Sequence, residues 1–240
     1  MIIRYNKTMD IKYIIIIAVV FLIAIVFGLA IVNYSGEDMV DKFKKLSVLP
    51  CGLTPVELAN FISTNEFGGR IRLCFKDKYF SDAMSSNFVL NLSSIYATQY
   101  NFAGVTICAH ELGHAYQFRD EMPKMIKHAM LVKISRFFSF ILNPMLIIAI
   151  IFLFAQQFLI GYIFMGVAGL SFLIAVLSKL STIGVEKQAS KKAIELLKIY
   201  ANFTDEELTT ANTFLKSAKM TYVADLLKMM LGWTGLVRRR

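Results

Sequence analysis

Two of the three histidines in this chain stand four residues apart, in the run Thr106-Ile-Cys-Ala-His110-Glu111-Leu-Gly-His114-Ala-Tyr-Gln117. On a helix, residues four apart lie one above the other on one face. His110 and His114 would therefore aim two imidazoles at one point, as a tetrahedral zinc site requires. Glu111 lies one step round the helix, beside that axis, and could take the proton of an attacking water without joining the ligands. The neighbours are apolar, and two imidazoles and a carboxylate are costly to bury there unless something pairs them. A metal ion does so most simply. This pattern points to zinc-assisted hydrolysis of a peptide bond.

Such a site keeps three protein ligands and one open position. Three residues compete for the third place. Asp120 follows His114 by six residues, where longer zinc motifs put a ligand, but Gln117 stands where those motifs need glycine. His128 follows Pro123 at no defined spacing and reads as a surface or headgroup residue. Glu186 lies after the last long apolar stretch and opens a helical pattern; its bland alternative is a first-turn glutamate favoured by the helix dipole.

The elements that must position these residues are mostly membrane-compatible. The chain is 56% hydrophobic over 240 residues with net charge +9, and mean hydropathy is +0.57. That is too apolar for an ordinary soluble domain. The positive excess reads as contact with anionic headgroups. Nucleic acid is not an expected partner, because no basic and aromatic stripe on a polar scaffold is present. Cys51, Cys74 and Cys108 are odd in number and lack CxxC spacing, so neither a zinc ribbon nor a disulfide framework is suggested.

Four regions follow. Residues 1–36 hold an N-terminal transmembrane anchor, Ile11 to Val32, longer than a signal-peptide core and without a clear cleavage site. Residues 37–136 form the part that carries the histidines. They include a helical stripe from Glu37 to Leu46 and a capping box at Thr54-Pro55-Val56-Glu57, opening a helix that stops before Gly68-Gly69. Two strands, Arg70 to Lys76 and Phe88 to Leu92, are expected to pair as a hairpin. The motif helix then runs from about Phe102 to Arg119. An exposed strand edge beside the metal could bind an extended peptide.

Residues 137–177 lack charge and are long enough for two spans, turning at Gln156-Gln157. This hairpin returns the chain to the side it left. Residues 178–240 are expected to be helical, with a helix over Val185 to Tyr200, a capping box at Thr204 and Glu207, and an interfacial helix from Tyr222 to Val237. Lys42, Lys124, Lys127, Lys133, Arg136 and Lys179 lie on the shared side, and Arg4, Lys7 and Lys12 on the other, so the shared side reads as the cytoplasm. The fold class expected is mainly α with a small β-hairpin or sheet, a zincin-like part integrated with transmembrane helices. The location expected is the cell membrane, multi-pass.

The stretch Val105 to Gln117, with Ala-His-Glu-x-Gly-His-Ala-x-Gln, resembles the YugP-like neutral zinc metallopeptidases of bacterial membranes. Val185-Glu186-Lys-Gln-Ala189-Ser190-Lys-Lys-Ala193 and Ala218-Lys-Met-Thr221-Tyr222-Val223-Ala224 are similar to two further motifs of that family, in the same order. The resemblance covers about residues 50–232. It implies His110, His114 and Glu186 as Zn2+ ligands and Glu111 as catalytic base, and it raises Glu186 above Asp120. Ser190 falls where related membrane metallopeptidases carry Asp, in reach of a ligand. Two departures stand out. The family's Leu-Thr-Asp-His-Tyr-Asp-Pro is here Tyr79-Phe-Ser-Asp-Ala-Met-Ser85, and its proline before the Val-Glu pair is Gly184.

The function expected is a membrane-bound zinc endopeptidase acting on a protein or peptide in or near the bilayer, with Tyr222 a candidate oxyanion donor. The alternative is a non-catalytic membrane scaffold with a structural zinc. Oligomeric state and cleavage preference are not legible.

Overall fold

The computed structural model describes residues 40–217. The Ile11 to Val32 span, Tyr222, the motif around it and the interfacial C-terminal helix lie outside the described residues.

Helix α1 is seen over 40–47 and turns Phe43 inward. Helix α2, Pro55–Phe67, starts as its sequence dictates. Thr54 Oγ1 accepts the Glu57 amide at 3.2 Å and Glu57 Oε2 accepts the Thr54 amide at 2.7 Å, so two otherwise orphaned donors are satisfied. It ends at Gly68, φ 57°, with Gly69 at φ 75°; a side chain in either conformation would be strained.

Three strands follow: β1 Arg72–Lys76, β2 Ala83–Met84 and β3 Val89–Ser93, in the spatial order β1-β3-β2. The expected hairpin between the two longer strands is corrected here. β1 and β3 pair in parallel, Arg72 with Val89 through Lys76 with Ser93, and the antiparallel partner of β3 is β2. Period-two alternation reports which face a residue occupies and carries no strand direction. The intervening chain passes across to the far side of β3, forms β2, and turns at Ser85. Leu90 and Leu92 point from one face of β3 into the core.

Helix α3 is Phe102–Asp120, capped by Asn101, whose Oδ1 accepts the Gly104 amide at 2.6 Å. After Glu121, helix α4, Met122–Phe154, begins at once. Ala155, Gln156 and Gln157 make the turn, with Gln156 at φ 61°. Helix α5 then runs unbroken from Phe158 to Tyr200, 43 residues. This corrects the expectation that a new helix opens near Val185. Gly184, unlike a proline, leaves no amide missing, so nothing interrupts the ladder. A further helix, α6, is seen over 205–217, with Glu207 Oε2 accepting the Thr204 amide at 2.7 Å.

The protein is thus mostly helical with a small three-stranded sheet. Leu58 and Ile62 of α2, Val105 and Leu112 of α3, and Leu196 and Leu197 of α5 share one core with β3 and Phe203. Phe102 stacks on Phe203 at 4.9 Å. Helices α4 and α5 are each long and apolar enough to cross a membrane. Their apolar stretch is outward-facing: Phe140 is 81% and Phe154 86% exposed. Beyond that stretch the end of α5 packs back on α3, which brings residues 76 apart in sequence into one site.

Candidate metal centre

His110 and His114 project from consecutive turns of α3, their rings edge to face with centroids 4.9 Å apart. Glu186 reaches them from α5. Its Oε2 lies 3.0 Å from His110 Nε2 and 3.7 Å from His114 Nε2. One ligand atom from each of the three falls within 4.8 Å of the others. Zinc bonds of about 2.0–2.2 Å in a tetrahedron separate ligand atoms by about 3.3–3.6 Å. The two imidazole-to-carboxylate distances bracket that range. Two imidazoles and one carboxylate also suit the chemistry of a catalytic zinc, so the donor set fits the ion.

The far nitrogens are engaged. His114 Nδ1 is 2.8 Å from Gln117 Oε1, and Gln117 Nε2 donates to the Val185 carbonyl at 2.9 Å. A carbonyl can only accept, so the Gln117 amide nitrogen must face Val185 and its oxygen must face His114. In its neutral, metal-binding form His114 would then carry its proton on Nδ1 and present a bare Nε2 to the site. His110 Nδ1 has Ser190 Oγ at 3.4 Å, a longer contact of the same kind.

Close approach of α3 and α5 is needed for all of this. Gly113 faces Ala189, and a Cβ built on Gly113 would sit 2.4 Å from the Ala189 carbonyl oxygen. Ala189 and Ala193 are fully buried beneath it.

Electrostatics follow from that packing. Burial opposes ionisation of Glu186, but hydrogen bonds from His110 and His114 outweigh it and hold the carboxyl well below the usual range. Burial also disfavours a charged His114; its hydrogen bond to Glu186 and the charges of Glu111 and Glu186 outweigh that and raise it to about 8.

Glu111 stands outside the triad, with Oε2 accepting the Met84 amide at 2.8 Å. The Ser85 amide bonds Val89 across the sheet, so the Met84 amide, one residue earlier, faces the free edge of β2. Glu111 therefore lies against the edge of β2 that no other strand among the described residues pairs with.

Other residues singled out in the sequence lie elsewhere. Asp120 is exposed and paired with Arg119 at 2.6 Å. His128 sits on α4 with Ser181 Oγ at 3.0 Å. Cys108 is core filling, its thiol 3.2 Å from the Pro55 carbonyl. Gln117 and Met84 were not foreseen as parts of the site. Gln117 had a signal, three residues after His114 on the same helix face. Met84 acts through its main chain and had none.

A family model described as "Putative neutral zinc metallopeptidase" matches residues 13–239. No curated protein and no solved structure matches the chain.

Proposed function

This chain belongs to that neutral zinc metallopeptidase family, and from this membership we propose that it is a membrane-bound zinc endopeptidase. The observation that carries the reading is the convergence of His110, His114 and Glu186 within 4.8 Å, with Glu111 set against the edge of β2.

His110, His114 and Glu186 would hold the zinc, which would supply Lewis-acid polarisation of the scissile carbonyl and a water made nucleophilic near neutral pH. The rest is done by the chain. The Met84 amide pins Glu111 Oε2, which leaves Oε1 to accept the proton of the attacking water. Glu111 then returns that proton to the leaving amine. Gln117 and Ser190 hold the imidazoles in place from behind. An extended peptide docks along the outer edge of β2, where the Met84 carbonyl faces the same side as its amide. Tyr222 is the candidate donor to the developing oxyanion from its place in the sequence alone.

Helices α4 and α5 cross the bilayer through residues 137–154 and 158–177, about 27 and 30 Å of helix. Outward Phe140 and Phe154 would then meet lipid tails. The site stands on the side rich in lysine, read as cytoplasmic, and the substrate is a membrane or membrane-proximal protein. Metal analysis of the purified protein, paired with a casein or autolysis assay, tests this. Bound zinc with hydrolysis supports it; bound zinc with no hydrolysis at any pH supports a scaffold instead.

A further inference from the structure

Strand β2 is only two residues long. A ladder that short is marginal by itself, yet it presents the Met84 amide to Glu111 at 2.8 Å. Its C-terminal end is tied by the Ser85 amide to the Val89 carbonyl at 3.0 Å. Its N-terminal end is tied by Asp82. One oxygen of that side chain, Oδ1, accepts the Ser93 amide at 3.0 Å, at the end of β3. The other, Oδ2, accepts the hydroxyl of Tyr96, a buried residue. Phe80 has φ 53°, a conformation that an aromatic residue keeps only when its surroundings impose it. Its ring meets Phe43 at 4.9 Å, and Phe43 meets Tyr96 at 5.3 Å. The loop before β2 is therefore bent, anchored and closed at one carboxylate that the reaction itself does not use.

We propose that Asp82, forked between Ser93 and Tyr96, is a positioning residue for substrate: it sets the β2 edge at the height of Glu111 and so fixes where an extended peptide docks. This rests on the peptidase reading, so one arm of the test is independent of turnover.

The variants differ in what they break. Asp82→Ala removes both bonds. Asp82→Asn keeps an oxygen for the Ser93 amide but turns an NH2 toward the Tyr96 hydroxyl, so the hydroxyl proton loses its acceptor. Tyr96→Phe removes the phenol arm alone. The full-length, zinc-loaded protein in detergent is examined by hydrogen exchange and by peptide kinetics. Asp82→Ala should speed exchange in residues 79–86 by about tenfold and the other two variants by about threefold. Residues 104–116 and the zinc content should not change. KM for an extended peptide should rise by about tenfold in Asp82→Ala with kcat within about threefold. Unchanged exchange in 79–86, or a fall in kcat or zinc content at constant KM, overturns the proposal. Should Asp82→Ala fail to fold, Tyr96→Phe and Asp82→Asn carry the same comparison. If the unsubstituted protein cleaves no peptide, the peptidase reading fails, and the exchange arm still decides whether Asp82 holds the edge.

Discussion

Gln117 on α3 donates to the main-chain carbonyl of Val185 on α5 at 2.9 Å while its oxygen meets His114 at 2.8 Å. One amide thus couples the orientation of an imidazole to the height of the neighbouring carboxylate, Glu186. Gln117→Leu keeps the volume and deletes both bonds. Loss of such an outer partner costs about 10–100-fold in metal affinity. Titration with a zinc chelator should show that loss, while stability of the metal-free protein falls by only about 0.5–1.5 kcal/mol, the net worth of one hydrogen bond, because the Val185 carbonyl keeps its partner within α5.

Gly113→Ala separates helix propensity from packing. Alanine favours an isolated helix by about 1 kcal/mol. Here its methyl would stand 2.4 Å from a main-chain oxygen of α5, which has no flexible end to swing away. Forcing the helices apart costs about 1–3 kcal/mol and moves Glu186 from both rings. The expected outcome is lower thermal stability and weaker zinc binding together. A stabilised variant with unchanged zinc would mean that α3 and α5 are not in this contact.

The third ligand is decided by comparing carboxylates. Glu186→Ala should lower zinc affinity by more than the ~10–100-fold of an outer partner, because a direct donor is gone. Asp120→Ala and His128→Ala should leave zinc content unchanged, since their partners are Arg119 and Ser181.

Native cysteines report the orientation. Cys74 is exposed on β1, Cys51 is half-buried and Cys108 buried. Burial, the largest influence on Cys51, raises its thiol above the ordinary value and slows its reaction. A membrane-impermeant maleimide should therefore label Cys74 first. Labelling in inverted vesicles and protection in intact cells is expected for a cytoplasmic site. The reverse pattern would place the site outside.

What the sequence made legible follows the reach of its periodicities. The i, i+4 spacing announced His110 and His114, and the capping boxes announced the starts of α2 and α6 to the residue. The Gln156-Gln157 turn was visible as the polar break in an uncharged run. Glu186 was one of three choices until a second motif was matched, because pairing residues 76 apart needs tertiary packing. The continuity of α5 was missed because the uncharged span ending at 177 and the helical pattern from Val185 differ in polarity and read as two elements, although no proline separates them. Parallel pairing of β1 with β3 was missed because alternation has no direction. The Met84 amide could not be read at all, since every residue but proline offers one.

The catalytic assignment turns on Glu111, the one charged group of the motif that does not face the other two. Glu111→Gln preserves shape and can still meet the Met84 amide through its carbonyl oxygen, so β2 should keep its place. The amide has no basic oxygen to take a proton from water. Hydrolysis should fall by at least the ~10²–10⁴-fold that a general base contributes, while zinc content stays that of the unsubstituted protein, because His110, His114 and Glu186 remain. Casein cleavage and metal analysis on the same preparation check both halves. Full activity would remove Glu111 from the reaction, and loss of zinc along with activity would make it a ligand and leave the base to be found elsewhere.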